Sequence, residues 1–132
     1  MILVDANVLM YAAGAAHPHK AASVHLLRRV ASGDLEAALD AEVLQEVLHR
    51  YRALGRWAEG RRVFDQARVI FPVVFPITVT ELDRARALLD RYAAVMARDA
   101  LHAAVVMEQG LEAICSFDRD FDQLAGITRR EP

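Results

Sequence analysis

Apolar residues open the chain without a break: Ile2-Leu3-Val4 lead to Asp5, and an uninterrupted apolar run of strand length is what a strand buried on both sheet faces produces. It predicts a central parallel strand. From Ala6 to Ala13 the spacing turns helical and Gly14 stops it; Pro18 suits the first turn of a second helix reaching Ser32, closed by Gly33. Residues 35–39 predict a second strand. Over 41–54, Val43, Leu44, Val47, Leu48, Tyr51 and Leu54 share one face of the clearest amphipathic helix in the chain, and Gly55 ends it. Another helix is predicted over 58–70, with Arg61, Arg62 and Arg68 outward. Val73-Val74-Phe75, running through Pro76 to Ile77, predicts a strand that its proline shortens or confines to an edge. Thr80 with Asp83 gives a capping pattern for a helix whose stripe is Leu82, Ala85, Leu88, Leu89 and Tyr92. Residues 100–108, apolar almost all round until Gly110, predict a buried helix, and 113–115 another buried strand. Strands alternating with helices predict an α/β fold with a mainly parallel sheet, in one domain over 1–132.

Composition narrows the class. With 55% hydrophobic residues the chain can build a core, yet no apolar stretch approaches the roughly 20 residues of a spanning helix. Met1 runs straight into the first strand without a basic segment, so neither a membrane span nor a signal peptide is expected. The single cysteine, Cys115, can form neither an internal disulfide nor a paired-cysteine metal knuckle, and a reducing cytoplasm is the expected compartment. A net charge of −2 provides no overall basic field, so any contact with nucleic acid must be local. Lys20 is the only lysine; the rest of the positive charge is arginine, which grips phosphate bidentately.

In open α/β sheets ligands sit outside the carboxyl ends of the strands, which directs attention to the polar residues there. Asp5 ends the first strand, and Asp118 follows the strand over 113–115. If those strands are neighbours, the two carboxylates meet. Asp99 stands in the first turn of the nearly all-apolar helix, either as a cap or as a tethered ligand. On the amphipathic helix, Glu46 lies roughly 120° from the middle of the apolar face and Glu42 roughly 160°. Glu46 can therefore lean toward a cleft while Glu42 looks into solvent. Converging carboxylates raise one another's pKa unless a cation neutralises them, and an all-oxygen set matches Mg²⁺ or Mn²⁺ rather than Zn²⁺. One or two such ions can generate a hydroxide nucleophile and stabilise the leaving oxygen of a phosphodiester.

Other chemistries lack their residues. Neither a GxSxG elbow, a GxGxxG loop nor a P-loop is present, and Ser23, Ser32 and Ser116 have no link to a His/Asp pair. Of five histidines only His102, three residues after Asp99, falls within reach of the acids, and it reads first as a core histidine whose nitrogens meet backbone partners. His17 and His19 flank Pro18 in a loop and carry no signal of their own.

Four segments carry a family likeness: Ile2-Leu3-Val4-Asp5-Ala6-Asn7-Val8-Leu9, Glu42-Val43-Leu44-Gln45-Glu46-Val47-Leu48, Ala97-Arg98-Asp99-Ala100-Leu101-His102-Ala103-Ala104 and Ser116-Phe117-Asp118-Arg119-Asp120-Phe121-Asp122. In order and spacing, across essentially the whole chain, they resemble the PIN-domain nucleases, most closely the VapC-type toxins of bacterial toxin–antitoxin pairs. The resemblance implies a three-layer PIN-like fold and a Mg²⁺- or Mn²⁺-dependent endoribonuclease acting on RNA such as tRNA or rRNA. It implies Asp5, Glu46, Asp99 and Asp118 as the acidic metal site, Asn7 and Ser116 as hydrogen-bonding support, and Asp120 and Asp122 as further acids. Ala6 stands where the family often has Thr or Ser. A homodimer and a VapB-type antitoxin partner are implied as well. Arg98 and Arg119, beside site acids, are candidates for RNA phosphate contact.

Three alternatives differ in class. One is a PIN nuclease for RNA processing or DNA without an antitoxin, which a small DNA-binding protein encoded immediately upstream would disfavour. Another is a catalytically silent PIN-like binding module, disfavoured because buried like charges are costly without a metal. A phosphoacceptor receiver module also places acids at strand ends, but it needs a lysine after a later strand, and Lys20 is near the start.

Overall fold

The computed structural model describes residues 1–132. Its centre is β1 (Ile2–Val4), flanked in a five-stranded sheet of order β3-β2-β1-β4-β5 by β2 (Ala37–Asp40), β3 (Val74–Phe75), β4 (Ile114–Cys115) and β5 (Arg129–Arg130). All neighbouring pairs are parallel, and parallel strands require crossovers. These are α1 (Ala6–Ala13), α2 (Lys20–Ala31), α3 (Ala41–Ala53), α4 (Trp57–Ile70), α5 (Val79–Arg91), α6 (Ala97–Glu108) and, between β4 and β5, a 3₁₀ turn over Arg119–Gln123. No helix is long and apolar enough to cross a membrane.

The unbroken apolarity of β1 follows from having a helical layer on each side. Ile2 and Val4 join a core with residues of α1, α2, α3 and α4, whereas Leu3 and Ile114 join a second core with α5 and α6. The three-layer α/β architecture is therefore the expected one. β3 is an edge strand, as Pro76 requires.

Several local expectations are corrected. The cap of α5 is Thr78 rather than Thr80: its backbone N–H donates to Glu81 at 2.8 Å in a capping box. Glu81, Ala85 and Leu88 are buried as a result, and Leu82 and Leu89 face out, 50% and 36% exposed. On α3 the buried strip is narrower than its periodicity suggests. Val43, Leu44, Val47 and Tyr51 are buried, while Leu48 is exposed and Leu54 borders an open cleft. β5 has no hydrophobic signature, and it was not among the predicted strands. Parallel register to β4 holds it, together with Arg129, whose side chain donates to Asp122, to Glu131 and to the Ser116 carbonyl. Polar ties here replace the apolar pattern that sequence reading depends on.

α3 and α4 approach closely at Gly60, where an added Cβ would overlap Tyr51 Cβ. That atom is fixed to the backbone and cannot rotate aside. Gly60→Ala should therefore lower the unfolding free energy by about 1–3 kcal/mol, although alanine alone would favour the helix by about 1 kcal/mol. Urea denaturation measures this, and an unchanged or raised midpoint would refute the close approach.

Candidate active site

β1 is where the strand order reverses, with β2 and β3 laid down on one side and β4 and β5 on the other. Carboxyl ends diverge at such a switch point and leave a crevice. The pairing Val4↔Cys115 brings the next residues, Asp5 and Ser116, side by side. Ser116 Oγ donates to Asp5 Oδ2 at 2.6 Å and accepts from Asn7 Nδ2 at 3.0 Å and from the Asp118 backbone N–H at 2.9 Å. Its one proton and both lone pairs are thus in use. Asn7 Nδ2 also donates to Asp5 Oδ2, at 3.1 Å. The two strand ends meet as the sequence pattern anticipates.

α6 begins at Ala97, three residues before the expected start, which makes Asp99 the third residue of its first turn. A helix N-terminus favours a carboxylate. Here burial, then the Asp118 and Asp5 charges, outweigh it and raise the Asp99 pKa to about 6. Burial also raises Asp5, against the lowering effect of His102 and Ser116. Ligand atoms of Asp99, Asp118 and the exposed Asp120 lie within 4.8 Å of one another. Asp118 Oδ1 accepts from the Asp120 N–H at 2.9 Å. Asp122 lies outside the cluster, bound through both oxygens to the Arg129 guanidinium at 2.9 and 3.2 Å.

Glu46 reaches the same cleft from α3, with a side chain only 13% exposed. Its Oε1 lies 2.7 Å from His102 Nε2, and His102 Nδ1 lies 2.7 Å from Asp40 Oδ2. The expectation of backbone partners for His102 is therefore wrong: both ring nitrogens face carboxylates, and the ring is wholly buried. Burial alone would lower its pKa, but the Asp40 charge and hydrogen bond, with that to Glu46, hold it well above the ordinary histidine range. Asp40 was missed altogether. It ends β2 and caps α3, its Oδ1 accepting from Val43 N–H at 2.9 Å. Glu42 does not simply look into solvent. It is half-buried, and burial followed by the Glu46 charge raises its pKa.

Asp5, Asn7, Glu46, Asp99 and Asp118 thus border one cleft of about 710 Å³, with Tyr11, His49, Arg50 and Arg98 on its walls. Arg98 is 3.9 Å from Glu46 Oε2 and 60% exposed, free to meet an anion. Arg119 is exposed on the 3₁₀ turn and does not line the cleft. Cys115, its thiol pushed up to about 12 by burial and then by Asp5, offers no thiolate. His102 offers no lone pair once both nitrogens carry protons. The available donors are all oxygens, the set that hard divalent cations prefer. Asn7 Oδ1 is a buried acceptor with no partner within the protein, and a hydrated cation carries the donor it lacks. The residues fit Mg²⁺ or Mn²⁺.

Comparison with known proteins points the same way. Residues 2–127 match the family model described as PIN domain. The chain is 45% identical over 129 residues to ribonuclease VapC13 of Mycobacterium tuberculosis, covering 98% of each. It is similar in structure to VapC20 of M. tuberculosis, described as a sarcin–ricin loop cleaving toxin, with a TM-score of 0.81 at 18% identity and full coverage of both chains. It is also similar to VapBC2 of Rickettsia felis, solved bound to a DNA fragment from its promoter, with a TM-score of 0.77 at 14% identity over 99% of this chain and 98% of that one.

The raised Asp99 pKa sets a pH dependence for the metal-free protein. With a folded pKa of about 6 against an ordinary aspartate value of 3.8, the folded state holds the extra proton between these values, so this group's contribution to stability falls as pH rises through that window. The melting temperature of Asp99→Asn relative to the unsubstituted protein, both in chelator, should accordingly increase from pH 4 to pH 6. A difference that stays flat would refute the shift.

Proposed function

The chain belongs to the PIN-domain family, among the VapC ribonucleases, and from that premise we propose that it is a Mg²⁺- or Mn²⁺-dependent endoribonuclease acting as the toxin of a toxin–antitoxin pair. The observation that carries this reading is the convergence of Asp5, Glu46, Asp99 and Asp118 on one cleft that Asn7 also lines. These four acids would hold one or two ions, with Asp120 at the margin. Bound there, a divalent ion supplies Lewis-acid polarisation of a phosphate and acidifies a water.

What the chain itself contributes is orientation and charge. Ser116 and Asn7 hold Asp5 by Oδ2, and the Ser116 hydroxyl ties Asp118 to the same point. His102, anchored by Asp40, holds Glu46 by Oε1 and leaves Oε2 facing Arg98 at 3.9 Å. Arg98 stands ready for a phosphate oxygen at the rim. Asp122 serves elsewhere, fixing Arg129 and with it β5. The substrate is RNA such as tRNA or rRNA, which puts the action in the cytoplasm, and inhibition comes from a VapB-type antitoxin. Val79, Leu82 and Leu89 form an exposed apolar stripe on α5, a surface suited to a second copy in a homodimer.

Purified, antitoxin-free protein should cut a tRNA and rRNA pool into discrete fragments in Mn²⁺, and both EDTA and Asp99→Asn should abolish the cuts. Folded protein that leaves the pool intact in every metal would overturn the nuclease. Asp40→Asn keeps a capping side chain of equal quality but removes the charge behind His102. Removing that charge from beside a buried imidazolium should cost about 3–5 kcal/mol of stability, and the folded variant should lose about 10- to 100-fold in Mn²⁺ affinity or cleavage rate. Unaltered affinity and rate would show the Asp40–His102 pair to be packing alone. Light scattering of the same protein should give twice the 14.7 kDa chain mass, and a monomer that persists at high concentration would remove the dimer.

A further inference from the structure

Four rings cluster at Tyr11, which lines the cleft, and the proposed hydrolysis uses none of them. Tyr11, on α1, has its ring centroid 4.5 Å from His17 with the planes 31° apart, 5.0 Å from His19 and 5.4 Å from Phe117. His19 lies flat on Phe117 at 3.9 Å. Phe117 falls between Ser116 and Asp118 in the chain, and Tyr11 itself lines the cleft with Asp5 and Asp118. The cluster therefore adjoins the acids both in sequence and in space.

Core packing explains only half of it. Phe117 packs on the core beside α1, and His19 covers it. Tyr11 remains part-exposed, however, and His17 is exposed. An exposed ring ordinarily samples several rotamers, and holding it still costs entropy. Here the turn that carries His17 is held at several points. His17 Nδ1 accepts from the His19 backbone N–H at 3.1 Å, Ser23 Oγ donates to the His19 carbonyl at 2.8 Å, and Lys20 Nζ donates to the Gly14 carbonyl. Pro18 fixes the φ angle between the two histidines. The ring surface is thus ordered before anything binds, which is the preorganisation that binding rewards.

A flat π-faced ligand with polar edges matches such a surface, and unpaired nucleobases are read by stacking on Tyr, Phe, Trp or His. We propose that Tyr11 and His17 form a stacking subsite for an unpaired base of the RNA strand, adjacent to the phosphodiester that the acids address. The proposal rests on the nuclease reading for its ligand. It makes the site selective for single-stranded or looped RNA, since a base inside a duplex has no free face.

The test uses a single-stranded oligoribonucleotide carrying one 2-aminopurine, whose fluorescence is quenched on stacking, and the blunt duplex of the same sequence, both in EDTA so that nothing is cut. The single strand should be quenched on binding. Tyr11→Ala and His17→Ala should each weaken its binding by about 5- to 150-fold, while Tyr11→Phe retains it and the weaker duplex binding does not change. His17 is exposed, so its variant tests the proposal even where Tyr11→Ala fails to fold. Single-strand affinity unchanged in the His17 variant, or equal losses for single strand and duplex, would overturn the subsite. Cleavage of total RNA in Mn²⁺ by the unsubstituted protein separates the two readings: cleavage without a stacking signal removes only the platform. Stacking without cleavage keeps the platform and removes the nuclease.

Discussion

Carboxylates brought close together repel one another, and at the carboxyl end of this sheet the repulsion acts in partly buried surroundings where water screens it poorly. Three responses are visible. Burial and then the Asp118 and Asp5 charges move Asp99 toward protonation, its pKa at about 6, and burial shifts Asp5 the same way. Asp5 is also hydrogen-bonded by Ser116 and Asn7. The third response is a fixed cation: His102, wholly buried, carries protons to Asp40 on one side and Glu46 on the other. A buried imidazolium is costly alone and tolerable only between partners that use both its donors. The Asp40–His102–Glu46 chain shares two protons among three groups, so it presents a single negative charge where two free carboxylates would present two.

That residual charge suits a cation better than full neutralisation would. If every acid found an internal partner, nothing would remain to attract an ion; if none did, the metal-free fold would carry the whole repulsion. The arrangement here divides the work. Asp5 and Glu46 are positioned by hydrogen bonds at one oxygen each, while the buried Asn7 Oδ1 has no hydrogen-bond partner in the protein. The fold makes this economical, because a switch point brings Asp5 and Ser116 together by strand register alone. Only Glu46 and Asp99 need helices to deliver them, and α3 and α6 are joined across the site by His102 itself.

What the sequence disclosed follows the same division. Buried strands and amphipathic helices leave periodic signatures, so β1, β2, β4 and the helical layers were legible, as were the acids at strand ends and Glu46 on its helical face. The Asp40–His102 pair was not. Sixty-two positions separate its members, and each has a sufficient local explanation, one as a cap and the other as a core residue. β5 escaped because ion pairs of Arg129 hold it in place of apolar contacts. The start of α5 slipped by two residues because Thr78 and Thr80 both offer a hydroxyl with an acid three positions on, and only tertiary packing of Glu81, Ala85 and Leu88 decides between them.

An acidic protein that must hold a polyanion poses a separate problem, since a net charge of −2 gives no long-range attraction. The cleft answers it locally. Its acids form an all-oxygen set of the kind hard divalent cations prefer; Arg50, His49 and Arg98 stand on the wall formed by α3 and α6. α1 lines the cleft with Tyr11, and the exposed His17 ring packs against Tyr11 from the turn after that helix, without adding further charge to the wall. Stacking on rings is short-ranged and insensitive to net charge, so it adds affinity without strengthening attraction to every polyanion that passes. Weak long-range steering combined with short-range contacts favours a strand that can splay its bases over a regular duplex. On this argument the low overall charge is itself a source of selectivity: it leaves recognition to the shape and single-strandedness of the RNA at the cut.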